Sequence, residues 1–130
     1  MIAVDTSALM AVLLGEPQAE ACIVALEQSG DLLISTGTLA EALIVAARRN
    51  LGAEMTRLIE GLGFEIVSVS AAAARRIAAS YTRWGKGIDP AGLNFGDRFA
   101  YEVAQEHDCP LLFDSRNFAR TDVRSALSVV

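Results

Sequence analysis

The chain has 130 residues, of which 52% are hydrophobic and 21% charged, and its net charge is −5 at pH 7. This length and composition suffice for one domain with its own core, and we expect a single domain over residues 1–130. The negative charge excludes a protein that binds nucleic acid mainly through a basic surface.

The two cysteines are not arranged as a pair, and the single histidine stands alone. We therefore expect neither a structural disulfide, nor a zinc site, nor a Ser-His-Asp triad. The sequence starts on strand-like residues without a leader pattern, and no apolar run is long enough to span a membrane. These features predict a cytoplasmic protein without a membrane partner.

Short apolar runs alternate with helical segments along the chain. The predicted strands are residues 2–4, 32–34, 64–69 and 110–113, with 123–127 as a candidate fifth strand at the edge. Helices are predicted at 8–14, 18–28, 36–49, 53–62, 71–84 and 95–107. This alternation predicts an α/β fold with a central parallel sheet of four to five strands and helices on both faces.

Acidic residues recur where predicted strands end or helices begin. Asp5 ends the first strand, Glu41 lies early in the helix after the second strand, and Asp97 begins the helix before the fourth. Asp114 ends the fourth strand and Asp122 lies in the next loop. Right-handed crossovers bring the carboxyl ends of parallel strands to one rim of the sheet. We therefore expect at least three carboxylates to meet there.

Each acid also has a purely structural interpretation. Asp5 and Asp97 suit helix starts, where a carboxylate accepts unpaired backbone N–H groups and meets the positive end of the helix dipole. Loop carboxylates such as Asp114 commonly form turns. Glu41 differs, because it is the only charged residue in the predicted helix between residues 36 and 47. A carboxylate on a packed surface needs a partner, so Glu41 predicts a metal ion or an arginine beside it.

Carboxylates that converge at one rim need a cation. Two of them about 4 Å apart repel by roughly 4 kcal/mol at an effective dielectric constant near 20. Oxygen ligands without histidine or cysteine favour Mg²⁺, with Mn²⁺ as an alternative, over zinc. Mg²⁺ bound in this way keeps water ligands and can take up phosphate oxygens. The pattern therefore predicts phosphodiester hydrolysis by a metal-activated water.

Other features predict contacts with large partners. Arg116 and Arg120 follow the fourth predicted strand, next to the proposed site, and we expect them to contact phosphate groups of the substrate. The helices between Thr38 and Leu62 carry more apolar surface than a small sheet covers. That surface predicts a contact with a second copy or another protein.

Several segments together resemble PIN-domain ribonucleases, and in particular the VapC-type toxins of bacterial and archaeal toxin–antitoxin pairs. The segments are Asp-Thr-Ser at 5–7, Glu41, Leu-Asn-Phe-Gly-Asp at 93–97, Pro-Leu-Leu-Phe at 110–113 and Asn-Phe-Ala-Arg-Thr-Asp at 117–122. The resemblance covers essentially the whole chain and implies a three-layer α/β/α PIN-like domain. It further implies Mg²⁺-dependent RNA cleavage, a homodimer and a VapB-type antitoxin as partner.

The resemblance also implies roles for individual residues. Asp5, Glu41 and Asp97 correspond to the catalytic acids that bind metal in the family. Thr6 or Ser7 supports a metal-bound water or a phosphate.

One position departs from the family pattern. The family often carries an acid immediately before the loop phenylalanine, where this chain has Asn117. The fourth acid is then Asp114 or Asp122, or a second metal position is weaker. The departure leaves a second function open, namely a catalytically idle PIN-like module that only binds RNA or a partner.

Two other classes of protein with an acidic pocket fit the sequence less well. A phosphoacceptor receiver domain needs a lysine near its last strands, and the only lysine is Lys86 in a predicted loop. A haloacid-dehalogenase-like phosphatase needs a second aspartate where Ser7 stands.

Overall fold

A computed structural model of the chain describes residues 1–85, 87 and 89–127. Its four strands are β1 (Ile2–Val4), β2 (Leu32–Ser35), β3 (Glu65–Val67) and β4 (Leu111–Leu112). Its six helices are α1 (Thr6–Leu14), α2 (Ala19–Gln28), α3 (Thr36–Arg48), α4 (Gly52–Leu62), α5 (Ala71–Trp84) and α6 (Phe95–Glu106), and a 3₁₀ turn follows at Phe118–Arg120. The predicted order of elements is confirmed. Lys86 lies outside the described residues.

The four strands form one parallel sheet in the order β3-β2-β1-β4. β1 is therefore central, with Ala3 opposite Leu33 on one side and Leu111 on the other. All residues of β1, β2 and β4 are buried. Strands covered on both faces by helices need continuous apolar runs, which explains the Ile-Ala-Val and Leu-Leu-Ile sequences.

The candidate fifth strand is reduced to a single bridge. Ser125 pairs in parallel with Leu111, whose backbone N donates to Arg124 O at 2.8 Å and whose carbonyl accepts from Ala126 N at 2.9 Å. Because β4 has only two residues, it offers too short a ladder for a full strand at this edge. Residues 128–130 lie outside the described part.

Each face of the sheet carries its own core, because successive strand residues point to opposite faces. On one face, side chains of β1, β2 and β4 pack with α1, α2 and α4, as in the buried set Val4, Ile34, Leu112, Leu9, Leu26 and Met55. On the other face, the alternate strand residues pack with α6 and the segments beside it, as in the set Ala3, Leu33, Leu111, Leu93, Tyr101 and Phe118. The predicted three-layer α/β/α architecture is confirmed.

Capping side chains fix the starts of four helices. Asp5 caps α1, Ser35 caps α3, Ser70 caps α5 and Asn94 caps α6, each by accepting a backbone N–H of the first turn. The Asp5 cap makes α1 begin at Thr6 instead of the predicted residue 8. None of the helices in the described part combines the length and apolar character needed to cross a membrane.

Candidate active site

Asp5 lies at the end of the central strand β1 and is only 2% exposed. Its Oδ2 accepts hydrogen bonds from the backbone N of Ser7 at 3.0 Å and from Ser7 Oγ at 2.6 Å. Its Oδ1 is buried and has no hydrogen-bond partner among the described residues. Burial raises the pKa of Asp5 to about 7, the hydrogen bonds from Ser7 oppose that rise, and the charges of Asp97 and Glu41 add to it.

Glu41 projects from the second turn of α3 and is half-buried. Thr6 Oγ1 donates to Glu41 Oε1 at 2.7 Å. Burial raises the pKa of Glu41, the Thr6 hydrogen bond lowers it and the charge of Asp97 raises it. A Cβ built on Gly96 would overlap the Glu41 carboxylate, so this carboxylate lies directly against the first turn of α6. Within the described residues the partner of Glu41 is a hydroxyl group and no arginine.

Asp97 belongs to a capping box at the start of α6. Its backbone N donates to Asn94 Oδ1 at 2.8 Å, and its Oδ2 accepts from Asn94 N at 3.0 Å. Burial raises the pKa of Asp97, whereas hydrogen bonds from Asn94 and Asn117 and the charge of Arg98 lower it. The structural interpretation of Asp97 as a helix-start residue therefore holds, and the same side chain acts electrostatically on the other acids.

Asn117 lies at the site, at the position where the family pattern often has an acid. Hydrogen bonding from its side chain lowers the pKa of the Asp97 carboxyl, and its Nδ2 donates to the carbonyl of Gly92 at 3.4 Å. The amide thus supplies a donor where a fourth carboxylate would add repulsion. The sequence marked this position only as a departure, because contact with Asp97 depends on how the 3₁₀ turn packs on α6.

The acid cluster, defined as Asp5, Glu41 and Asp97, lies where β1 ends and where α3 and α6 begin. Its members are close enough that the charges of Glu41 and Asp97 raise the pKa of Asp5. As the side chains stand, no group of three histidine, cysteine or acidic residues in the described part forms a ready-made metal cage. The all-oxygen donor set and the unpartnered Asp5 Oδ1 nevertheless fit a hard divalent cation.

The sequence matches a known protein family over nearly its whole length. The PIN domain profile matches residues 2–124. The chain belongs to the PIN domain family. It is 39% identical over 123 residues to Ribonuclease VapC30 of Mycobacterium tuberculosis, covering 92% of this chain and 94% of that protein. This PIN domain is thus of the VapC type.

Solved structures confirm the PIN fold. The crystal structure of Mycobacterium tuberculosis VapC20, described as a Sarcin-Ricin loop cleaving toxin, superposes with a TM-score of 0.73 at 17% identity, covering 95% of this chain and 99% of that one. A chain of a toxin-antitoxin complex from Klebsiella pneumoniae gives a TM-score of 0.71 at 22% identity, covering 99% and 100%. At these identities the likeness establishes the fold alone.

In this PIN domain, Ser7 links the acid cluster to the loop after β4. Ser7 Oγ donates to Asp5 and accepts from the backbone N of Asp114 at 2.9 Å. The backbone of Asp114 therefore supports the site, whereas its side chain is exposed and its charge acts on the thiol of Cys22, whose pKa it raises together with burial.

Three other predicted residues lie outside the acid cluster. Asp122 Oδ1 accepts from Tyr101 Oη at 2.6 Å, and Asp122 Oδ2 lies 3.6 Å from Arg83, so this acid joins a separate network further along α6. Arg120 Nη1 donates to the carbonyl of Pro90 at 2.9 Å and holds the loop before α6. Arg116 is exposed in a shallow cleft next to Asp114.

Proposed function

We propose that this protein is a divalent-metal-dependent endoribonuclease and the toxin of a VapBC-type toxin–antitoxin pair. The observation that carries the proposal is the buried Asp5 carboxylate. Its Oδ1 has no hydrogen-bond partner in the described part of the chain, and the charges of Asp97 and Glu41 act on it. Membership of the PIN family and a relative named Ribonuclease VapC30 support RNA as the substrate.

Asp5, Glu41 and Asp97 would hold Mg²⁺, with Mn²⁺ as the alternative ion. Bound there, the ion supplies an activated water and offsets negative charge on the phosphate during in-line attack. Ser7 orients Asp5 through two hydrogen bonds, and Thr6 orients Glu41 through one. Both residues act here as positioning residues for the acids. Asn117 and the first turn of α6 hold Asp97.

Substitution of the acids tests the proposal. Asp5→Asn and Asp97→Asn keep the size of each side chain but remove its charge, and we expect each to reduce Mg²⁺-dependent RNA cleavage by at least 100-fold, in the range of removing a metal-bound activated water. Asp122→Asn is the matched control, because this acid belongs to the Tyr101 network, and its cleavage rate should remain near that of the wild type. Unchanged cleavage in both Asp5→Asn and Asp97→Asn would remove the proposed site.

The idle binding module is the competing function. It predicts that the wild-type protein binds RNA but leaves total bacterial RNA intact in the presence of Mg²⁺ or Mn²⁺. New 5′ ends that form with the wild type and disappear on chelation with EDTA decide for the enzyme.

We also propose an antitoxin partner and a homodimer. A solved toxin-antitoxin complex from Klebsiella pneumoniae contains a chain of the same fold. Exposed large apolar side chains offer contact surface, namely Ile23 and Val24 on α2 and, within the predicted region between Thr38 and Leu62, Leu43 on α3. Light scattering on the purified chain tests the dimer, and co-purification with the product of an adjacent gene for a small DNA-binding protein tests the antitoxin.

A further inference from the structure

An apolar groove adjoins the acid cluster along α3. Glu41 and Gly96 form the end that it shares with the cluster, and Arg48 forms the opposite end. Its walls come from α3 and the start of α6, through Ala40, Ile44, Phe95 and Phe99.

Phe95 is the most prominent side chain of this groove. It is 67% exposed, more than any other large hydrophobic residue in the described part, although it begins the helix that carries Asp97. Its ring meets Phe99 edge to face at 5.1 Å, and the Arg98 guanidinium lies 5.3 Å from its centre. These neighbours hold an exposed aromatic ring in place two residues from a proposed metal ligand.

Phe99 is itself fixed by close packing between the two helices. A Cβ on Gly37 would overlap its ring, so the Phe99 ring lies directly on the first turn of α3. The wall behind Phe95 is therefore closely packed.

The charges at the two ends of the groove suit a nucleotide chain. A phosphate bound at the acid cluster through a cation places a flanking nucleoside on the adjoining surface. On the side of Ser7, Asp114 and Asn117 that surface is polar, whereas on the side of α3 it is the apolar groove. Arg48 stands about 10 Å further along α3 and forms no ion pair within the described residues, so a cation is free there for a neighbouring phosphate.

We propose that this groove is a nucleobase subsite, in which a base next to the scissile phosphate of RNA stacks on Phe95. The inference rests on the proposed nuclease function and adds a specificity element to it. An aromatic platform accepts any base, because every base has a π face. The groove therefore adds binding energy beside the cleaved bond and favours single-stranded RNA, whose bases are free to leave their own stack.

The test starts from a cleavage site of the wild-type protein, mapped in total bacterial RNA by sequencing of new 5′ ends. A short RNA spanning that site is then compared with versions that lack the base on either side of the cleaved bond. We expect Phe95→Ala to lower kcat/KM on the intact RNA by roughly 10- to 100-fold, mainly through KM, as for loss of one stacked base. For the wild type, removal of the stacked base should lower kcat/KM by the same factor as Phe95→Ala does on the intact RNA. For Phe95→Ala, removal of that base should cause no further decrease.

Two variants serve as controls. Phe95→Trp keeps an aromatic face and should retain cleavage. Ile66→Ala removes a half-exposed apolar side chain from the edge strand β3 and should leave cleavage unchanged. Equal losses for Phe95→Ala on intact and base-free RNA, or a loss that follows a change in oligomeric state by light scattering, would overturn the subsite and assign the groove to a protein contact. A wild type that cleaves no RNA overturns the proposed function and the subsite together, whereas a cleaving wild type matched by Phe95→Ala overturns the subsite alone.

Discussion

At the scale of single residues, Asp5 combines a structural and a proposed chemical role. One carboxylate oxygen caps α1 through Ser7, and the other is buried without a partner. The cap was predictable, because an aspartate between a buried strand and a helix is a common N-cap. The unpartnered oxygen depends on burial by the assembled helices and carries a cost when the carboxyl group is ionised.

The raised pKa of Asp5 predicts a pH-dependent stability. The folded protein binds this proton up to a pKa of about 7, whereas the unfolded chain releases it near 3.8. The stabilising contribution is therefore present below pH 4 and is lost as the pH rises toward 7. In metal-free buffer, we compare the melting temperatures of Asp5→Asn and the wild type. We expect the value for Asp5→Asn minus that for the wild type to increase by several degrees between pH 5 and pH 8. A difference that stays constant with pH would contradict the buried carboxyl group.

Replacement of Gly96 by alanine should reduce activity without reducing stability. In Gly96→Ala the new methyl group overlaps the Glu41 carboxylate, and this flexible end swings away at small cost. We expect cleavage to fall at least 10-fold while the melting temperature remains at or above that of the wild type, because alanine favours a helix over glycine by up to about 1 kcal/mol. Gly61→Ala is the matched control, because a Cβ at this helical glycine of α4 meets nothing within 4 Å. Equal activity of the two variants would show that Gly96 does not position Glu41.

At the scale of elements, α6 brings the proposed site together. Its capping box fixes Asp97, its first turn lies against Glu41, and its first residue carries the exposed ring of Phe95. By contrast, α5 begins with a single capping residue, Ser70, and contributes none of the three acids.

Loss of these two caps should separate stability from activity. Asn94→Ala and Ser70→Ala each remove a side-chain acceptor from the first turn of a helix, and we expect each to cost about 1 kcal/mol, or about 4 °C in melting temperature. Only Asn94→Ala should reduce cleavage as well, because its turn holds Asp97. Thermal melts and cleavage rates measured side by side check this, and equal activity of the two variants would contradict it.

The sequence predicted the order and type of the helices and strands correctly, but it predicted the ends of the strands less well. Residues 110–113 read as a strand, but β4 keeps only Leu111 and Leu112, because Pro110 has no N–H to donate and the backbone N of Asp114 turns to Ser7. Similarly, Val69 leaves the predicted third strand to donate to Thr36 Oγ1 at 3.3 Å. The carboxyl ends of β3 and β4 are thus set by side chains far away in the chain, which a local pattern does not contain.

At the scale of the whole molecule, four of the ten arginines form ion pairs within the described residues. Arg57, Arg76, Arg83 and Arg124 all lie in ion pairs with acidic residues. Near the proposed site, Arg98 and Arg120 donate to the backbone carbonyls of Asn94 and Pro90. Arg48 and Arg116 form no ion pair within the described residues. A protein with a net charge of −5 therefore offers RNA few direct phosphate contacts.

This charge distribution predicts a weak dependence of RNA binding on salt. With two phosphate contacts, the logarithm of the binding constant should fall against the logarithm of KCl concentration with a slope of about −1.4. Fluorescence anisotropy with the Asp97→Asn variant, at fixed Mg²⁺, measures binding without cleavage. A slope steeper than about −4 would require more contacts between arginines and phosphates than Arg48 and Arg116 provide.

The topology explains why distant residues were predictable as one site. Asp5, Glu41 and Asp97 are separated by up to 92 positions, yet parallel strands and right-handed crossovers lead all three to one rim. Gly96, Asn117 and the groove of Phe95 were not predicted as parts of the site, because they depend on the contact between α3, α6 and the 3₁₀ turn. Asp122 illustrates the converse, since it lies in a promising loop but binds Tyr101.

The strand order has a consequence for synthesis in the cell. β1 leaves the ribosome first, yet its two neighbours in the sheet are made later, and β4 is finished only at Leu112. A nascent chain therefore cannot bring Asp5 and Asp97 together until almost all of it has emerged. If the proposed function holds, we expect RNA cleavage only from finished molecules, because a growing chain lacks the assembled acid cluster.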